Sequence, residues 1–400
     1  MTANKFRNEV PQIALIGVTG FGNAHLESLQ KLEGEGLLKL AAATIINRDE
    51  AAEAWDALDA SGCRIYEDYE AMLGAEKGKI DICSIPTGIG WHCPMTVNAL
   101  AAGCHVLVEK PVAATLSEVD EMIAARDATG LEVHVGFHDL YQPPIIRMKE
   151  HILAGKIGRV KRVKVWASWP RTLDYYQRNN WAGRVKVGDN FIYDSPANNA
   201  LAHFVIAGLY FAGSEQFGVA RIREGLAELY RAKPIETFDT VVTQLRMENG
   251  VEMQVNLTHS GAETTTPMVE VIGEDGSVIW EFHEEVSLRP DGESLPTPAG
   301  RENTVEMFRQ LVNAMREGRP MGCSLEMARE HTRLINALHN SCEIHSIEPP
   351  HRYEMDWRGE LLSAAEGINE ALVESIDQGK FFAEMNVAWA KPATPLTLAE

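Results

Sequence analysis

Between Gln12 and Val135 the chain alternates short apolar runs with stretches of helical periodicity, and this alternation narrows the possible folds more than any other feature. The runs are IALIGV, LAAATII, IDICSIP, HVLVEK and EVHVGF, with helices predicted from Ala24, Glu50, Met95 and Ser117. That order is the βαβ rhythm of a parallel sheet wound by right-handed crossovers. Runs such as ALIGV are apolar at successive positions, as strands covered by helices on both faces must be.

After Pro143 the rhythm changes. In VEMQVNLTHS, Val251, Met253, Val255 and Leu257 share one face while Glu252, Gln254, Asn256 and Thr258 share the other, so one face is packed and the other is wet or pairs with a subunit. The sequon at Asn256 lies inside this pattern and reads as strand, not as a glycosylation site. VEVIGEDGSVIWEF predicts a hairpin turning at Asp275–Gly276. RPDGESLPTPAGRENT reads as a loop, followed by helices over VEMFRQLVNAMREG and SLEMAREHTRLINALHNSC. A further helix is expected near LLSAAEGINEALVESIDQG, before a Pro-rich, frayed end. The expected division is 1–138, the domain of βαβ rhythm; 139–346, a second α/β domain; and 347–400, a helical extension and tail.

Composition sets the outer bounds. A chain of 400 residues, 45% hydrophobic and 24% charged, is globular and long enough for two domains. Its net charge of -20 disfavours nucleic acid and anionic membranes as partners, because either needs a basic face. The six cysteines form no C-x-x-C pair and several sit in apolar runs, which reads as reduced, buried thiols. The N-terminal segment lacks a basic region followed by an apolar one, no apolar segment reaches roughly 18 residues, and a cytoplasmic location is expected. No His-Glu-x-x-His or close ligand cluster points to a metal.

GVTGFG, Gly17 to Gly22, follows the first strand and opens a helix. In that position Gly17 permits a tight turn, while Gly20 and Gly22 let backbone approach a pyrophosphate and pack helix on strand. The helix N-terminus adds partial positive charge. The spacing is G-x-x-G-x-G, so Thr19 stands where the usual pattern has its second glycine, and Phe21 lies between the last two. A dinucleotide fold commonly ends its second strand in an acid that binds the adenosine ribose. Here Asn47 and Arg48 occupy that place, which removes the repulsion of a 2′-phosphate and leaves both NAD and NADP open.

DSPANNALAH, Asp194 to His203, reads as a helix start, with Ser195 as N-cap and Pro196 at the first helical position. On that reading Asn199 and His203, four apart, share a face.

The segments GVTGFGNAH, SIPTGIGWH, AGCHVLVEKPVA and VGFHDLYQP, in this order, resemble the Gfo/Idh/MocA oxidoreductases. The resemblance implies α/β architecture: an N-terminal Rossmann parallel sheet and a C-terminal α/β domain with a large, open, mainly antiparallel sheet. It implies NAD(P)-linked chemistry on a carbohydrate or polyol and assembly as a homodimer or homotetramer through the open sheet. It places Lys110 beside the nicotinamide and the substrate hydroxyl, with Glu109 and Pro111 shaping that turn, and Pro86, Thr87 and His92 in the segment lining the nicotinamide ribose. A partly desolvated ammonium near a positive ring has a lowered pKa, which suits a general acid–base. The family's Asp-x-Gly-x-His signature aligns with NALAH, so that His203 takes the histidine position, Asn199 the aspartate and Leu201 the glycine. Asn199 can orient the imidazole or bind a hydroxyl, but it supplies no charge.

WASWPRTLDYYQRNNWAGRV concentrates aromatic, Arg and Asn side chains in a non-periodic stretch, the composition of a carbohydrate surface. Trp169, Arg171, Tyr176, Asn180 and Trp181 are its candidate substrate contacts, alongside Asn199 and His203. Three functions remain open on the sequence. The first is a dehydrogenase that moves hydride between NAD(P) and a hydroxyl carbon of a sugar, sugar acid or cyclitol, with Lys110 as acid–base. The second is a redox-neutral glycosidase or lyase with tightly bound cofactor, and the third a non-catalytic ligand sensor.

Overall fold

The structure is a computed structural model that describes residues 5–288, 292–297 and 300–400. It comprises two compact units, Met1–Pro143 with Pro298–Arg329, and Pro144–Thr297 with Glu330–Glu400. The first break therefore falls at 143, not 138. Residues 298–329 return to the first unit, and the segment after 347 is built into the second unit and is no separate extension.

In the first unit, β1 (Gln12–Ile16), α1 (Gly22–Gly34), β2 (Lys39–Thr44), α2 (Ala52–Ala60), β3 (Arg64–Tyr66), α3 (Tyr69–Ala75), β4 (Ile82–Ile85), α4 (Ile89–Ala101), β5 (His105–Val108), α5 (Leu116–Thr129) and β6 (Val133–Val135) follow in sequence. The strands lie in the order β6-β5-β4-β1-β2-β3, all parallel, and the short strand Cys323–Ser324 adds antiparallel to β6. β4 and β5 are buried at every position, as their unbroken apolar runs predict. β3 and α3 are absent from the sequence reading because RIY is a three-residue edge strand without apolar periodicity. α4 starts six residues before Met95 and carries Pro94 inside, forgoing one backbone bond. α5 opens on a capping box between Thr115 and Glu118. The helix Glu302–Glu317 packs on α1, where Lys31 pairs with Glu302 (2.7 Å).

The second unit begins with α6 (Pro143–Leu153) and β7 (Val160–Ser168). β7 lies inside a large, mainly antiparallel sheet, parallel to Glu252–Thr258 on one side and antiparallel to Thr265–Gly273 on the other. The hairpin at Asp275–Gly276 joins Thr265–Gly273 to Ser277–Glu281 as expected. The helix Ala202–Ala212, buried at every residue, lies on one face of the sheet. It comes so close at Gly208 that an added Cβ would stand 2.3 Å from Met253 Cε.

Two expectations about the opposite face are overturned. Gln254 and Asn256 are neither wet nor held for a subunit. They are buried beneath the helix Ile368–Gln378, where Asn256 Nδ2 donates to Leu372 O (3.2 Å) and Ser375 Oγ (2.8 Å) and Gln254 Nε2 donates to Ser375 O (3.1 Å). The tail is not frayed either, because Phe381, Phe382 and Trp389 join Tyr230 and Leu372 in one apolar cluster and Thr394–Pro395 pairs with the strand Ile222–Arg231. The helix near LLSAAEGINEALVESIDQG occupies only the second half of that stretch, since Glu360–Ala365 is a strand and Gly367 takes φ 68°. All six cysteines are free and buried.

Candidate active site

The glycine loop joins β1 to α1. Gly17 and Gly20 take φ of 90° and 58°, the left-handed region that favours glycine, and a Cβ on Gly22 would stand 2.5 Å from Gly17 O. Thr19, Gly20 and Phe21 form its exposed tip, and nothing lies within 4 Å of a Cβ built on Gly20. This open, left-handed backbone at a helix start suits close approach by a pyrophosphate. At the end of β2, Asn47 Oδ1 accepts from Asp49 N–H (3.1 Å) and its amide donates to Glu50 (2.8 Å). Arg48, exposed, lies over Trp55 and 3.6 Å from Asp56.

Glu109 and Lys110 follow β5 directly. Glu109 is buried, with Oε1 3.1 Å from His25 Nε2, while Oε2 accepts the Lys110 N–H at 3.0 Å. His25 Nδ1 lies 2.8 Å from Ser84 Oγ at the end of β4, and edge contacts with Phe21 and Phe308 fix the ring. Burial alone would raise the Glu109 pKa, but the His25 hydrogen bond and the charges of His25, Lys110 and His138 outweigh it and hold the carboxyl below its ordinary range. Gly136 makes room for it, since a Cβ there would stand 2.3 Å from Oε1. Lys110 is half-buried and precedes Pro111 through a cis bond. Pro86 is buried at the end of β4, and Thr87 is half-buried beside it. His92 is buried with Nδ1 2.8 Å from Pro111 O and Nε2 2.9 Å from Thr87 O, so neither ring nitrogen faces solvent and the neutral ring has one N–H to give to one of these two carbonyls. Burial draws its pKa down.

In the second unit DSPANNALAH is not a helix start capped by Ser195. Residues 196–201 are turns and the helix begins at Ala202, because Leu201 N–H bonds Pro196 O, five residues back, instead of continuing an α-helical ladder. His203 lies in the first turn of the helix, and Asn199 precedes it. Asn199 Nδ2 donates to Asp194 Oδ1 (2.7 Å), and Asp194 Oδ2 accepts the Gly183 N–H (2.7 Å). Asn198 Nδ2 donates to Ile192 O and Tyr193 O, which makes it a strut of the turn. Asp194, buried, thus organises the segment, a role the sequence reading missed.

Trp169 and Arg171 follow β7, and their N–H groups bond Thr258 O and His259 O. The Tyr176 hydroxyl is spent on His259 Nδ1 (2.8 Å), while Tyr175, its unread neighbour, lies between two guanidinium groups. Asn180 is exposed, and the turn is carried by Asn179, whose Oδ1 accepts from the N–H groups of Trp181 and Ala182. Trp181 is half-buried under Arg178.

Comparison with known proteins fits both halves. The oxidoreductase family with an NAD-binding Rossmann fold matches residues 12–137, and the GFO/IDH/MocA C-terminal domain matches residues 145–279. The chain belongs to the GFO/IDH/MocA family. Its relatives include the uncharacterized oxidoreductase sll0816 of Synechocystis sp., 28% identical across 67% of this chain and 70% of the relative. The inositol 2-dehydrogenase of Pseudomonas savastanoi pv. phaseolicola is 25% identical across 70% of this chain and 77% of its own length. The WlbA dehydrogenase of Bordetella pertussis, crystallised with NADH and UDP-GlcNAcA, shares the fold at 22% identity and a TM-score of 0.66, covering 83% of this chain and 96% of WlbA. This member of the family is an oxidoreductase acting on CH–OH groups with a nicotinamide dinucleotide cofactor. Among the described residues no helix is long and apolar enough to cross a membrane.

Proposed function

We propose that the protein is a dehydrogenase for a sugar, sugar acid or cyclitol, with Lys110 as general acid–base. The observation that carries this reading lies within the first unit: His25, on the helix that opens at the glycine loop, is bonded to the carboxylate next to Lys110. The cofactor loop and Lys110 are thereby fixed to one rigid network. When bound, NAD(P) supplies the carbon that accepts hydride from the substrate. Lys110 Nζ takes the hydroxyl proton, and the Glu109 carboxylate holds the Lys110 backbone in place. From the second unit, His203 and Asn199 are assigned to substrate hydroxyls, with Asp194 orienting the Asn199 amide. Asn47 and Arg48 present no carboxylate to repel a 2′-phosphate, so the reading allows NADP as well as NAD. Any self-association through the large sheet must use the part of that face left uncovered by Ile368–Gln378 and the tail.

The test is NAD(P)H absorbance with purified protein and a panel of sugars, sugar acids and polyols. Lys110→Met is expected to lower turnover by about 10²- to 10⁴-fold while cofactor binding persists. Unchanged turnover in that variant would remove Lys110 from the chemistry.

A further inference from the structure

In a chain with 57 acidic and 37 basic side chains, arginines readily find carboxylates; Arg184 pairs with Glu236 and Arg246 with Glu252 in this same unit. Arg171 and Arg178 do not. Among the described residues neither guanidinium has a carboxylate oxygen within 4.0 Å. They lie against aromatic rings instead: Arg171 is 5.0 Å from the centroids of both Trp169 and Tyr175, and Arg178 is 3.7 Å from Tyr175 and 4.9 Å from Trp181. Two like charges thus share one tyrosine ring, an arrangement that repels itself until an anion joins it.

Unspent donors lie beside them. Arg171 Nε is buried without an acceptor, and so is Nε2 of His259, a residue only 2% exposed. The tautomer of His259 follows from its neighbour. Burial pushes the Tyr176 phenol well above its usual range and His259, helped by the charges of Arg171, Lys233 and Arg178, well below its own. The Tyr176 O–H therefore donates to Nδ1, and the neutral ring keeps its proton on Nε2 as a donor. Guanidinium N–H groups and an imidazole N–H are what a carboxylate or phosphate accepts from, and the aromatic rings suit the apolar face of a sugar.

We propose that the substrate is an anionic sugar, and that Trp169, Arg171, Tyr175, Arg178 and Trp181, with His259, bind its carboxylate or phosphate group. This rests on reading the second unit as the substrate side of a dehydrogenase.

The experiment compares turnover of neutral hexoses and inositols, uronates and aldonates, and hexose phosphates by the wild-type protein, Arg171→Gln and Arg178→Gln. Turnover confined to anionic members, with KM rising about 10- to 100-fold in each variant and kcat changing less, is the expected result. The uronate and aldonate arm and the phosphate arm decide which anion is bound. Turnover of neutral sugars with KM unmoved in both variants would overturn the proposal and leave the dehydrogenase reading standing. Where nothing turns over, calorimetry of the same panel on NADH-loaded protein decides. Anion-selective binding lost in both variants supports the site, and no selectivity refutes it. Loss of the dehydrogenase reading itself shows separately, as Lys110→Met indistinguishable from wild type.

Discussion

His25 Nε2 lies 3.1 Å from Glu109 Oε1 in an interior that excludes water from both side chains, and the other oxygen of the same carboxylate holds the backbone of Lys110. A buried carboxylate in such a network is both a positioning group and a source of pH-dependent stability. Its folded-state pKa lies below the ordinary 4.5, so its contribution is full above that value and is lost as pH falls through the lower one. Glu109→Gln is expected to flatten the acid limb of Tm against pH below 4.5. It should also lower kcat by about 10- to 100-fold, the usual cost of losing an orienting partner. An unaltered acid limb would mean that the carboxylate is not ionised in the folded protein.

Asn199 departs from the family's aspartate, and Asp194 explains why. With the amide donating to Asp194 Oδ1 at 2.7 Å, a second carboxylate at 199 would face the first. Asn199→Asp is therefore expected to destabilise by about 1–3 kcal/mol and to reduce turnover. Exchanging the pair as Asp194→Asn with Asn199→Asp restores a donor and an acceptor. Chemical denaturation should show the double variant more stable than Asn199→Asp alone; equal or lower stability would break the argument.

Lys149 is buried on α6, where Nζ donates to Tyr210 O and Gly213 O, both at 2.5 Å, at the end of the helix that begins with His203. An amine donor at that end satisfies carbonyls the helix cannot pair itself. Lys149→Met keeps the volume and removes the donors, and should cost about 1–3 kcal/mol for each carbonyl stranded. Urea denaturation measures the loss, and a midpoint unchanged from wild type would count against the cap.

Phe382 is fully buried against Tyr230, and Trp389 packs edge-on to both. Phe382→Ala should destabilise by about 3–5 kcal/mol. Removing residues 380–400 should uncover that face of the sheet and drive self-association, visible by light scattering. A monodisperse truncated protein with wild-type Tm would show that the tail adds nothing.

The parallel sheet was legible because its strands are apolar on both faces, a pattern that local sequence carries whole. The place of the glycine loop was legible because strand, glycine cluster and helix follow one another within a few residues, whereas Lys110 was singled out only by the resemblance its segment carries. What escaped depends on partners distant in sequence. His259 gains its meaning from Tyr176, 83 residues earlier. Gln254 and Asn256 read as solvent-facing because the main-chain atoms that satisfy them come from a helix more than a hundred residues later. The start of the His203 helix was misjudged for a local reason, a turn with a five-residue bond that Ser-Pro capping rules do not anticipate.

The discontinuity of the first unit bears on how the protein is made. The helix Glu302–Glu317 and the strand Cys323–Ser324 close a sheet whose other strands are complete by residue 135. A ribosome will have emitted the whole intervening chain before those pieces arrive. The nucleotide-binding half therefore waits, incompletely covered, while residues 144–297 are made, and a gene fragment ending at residue 143 encodes only part of it.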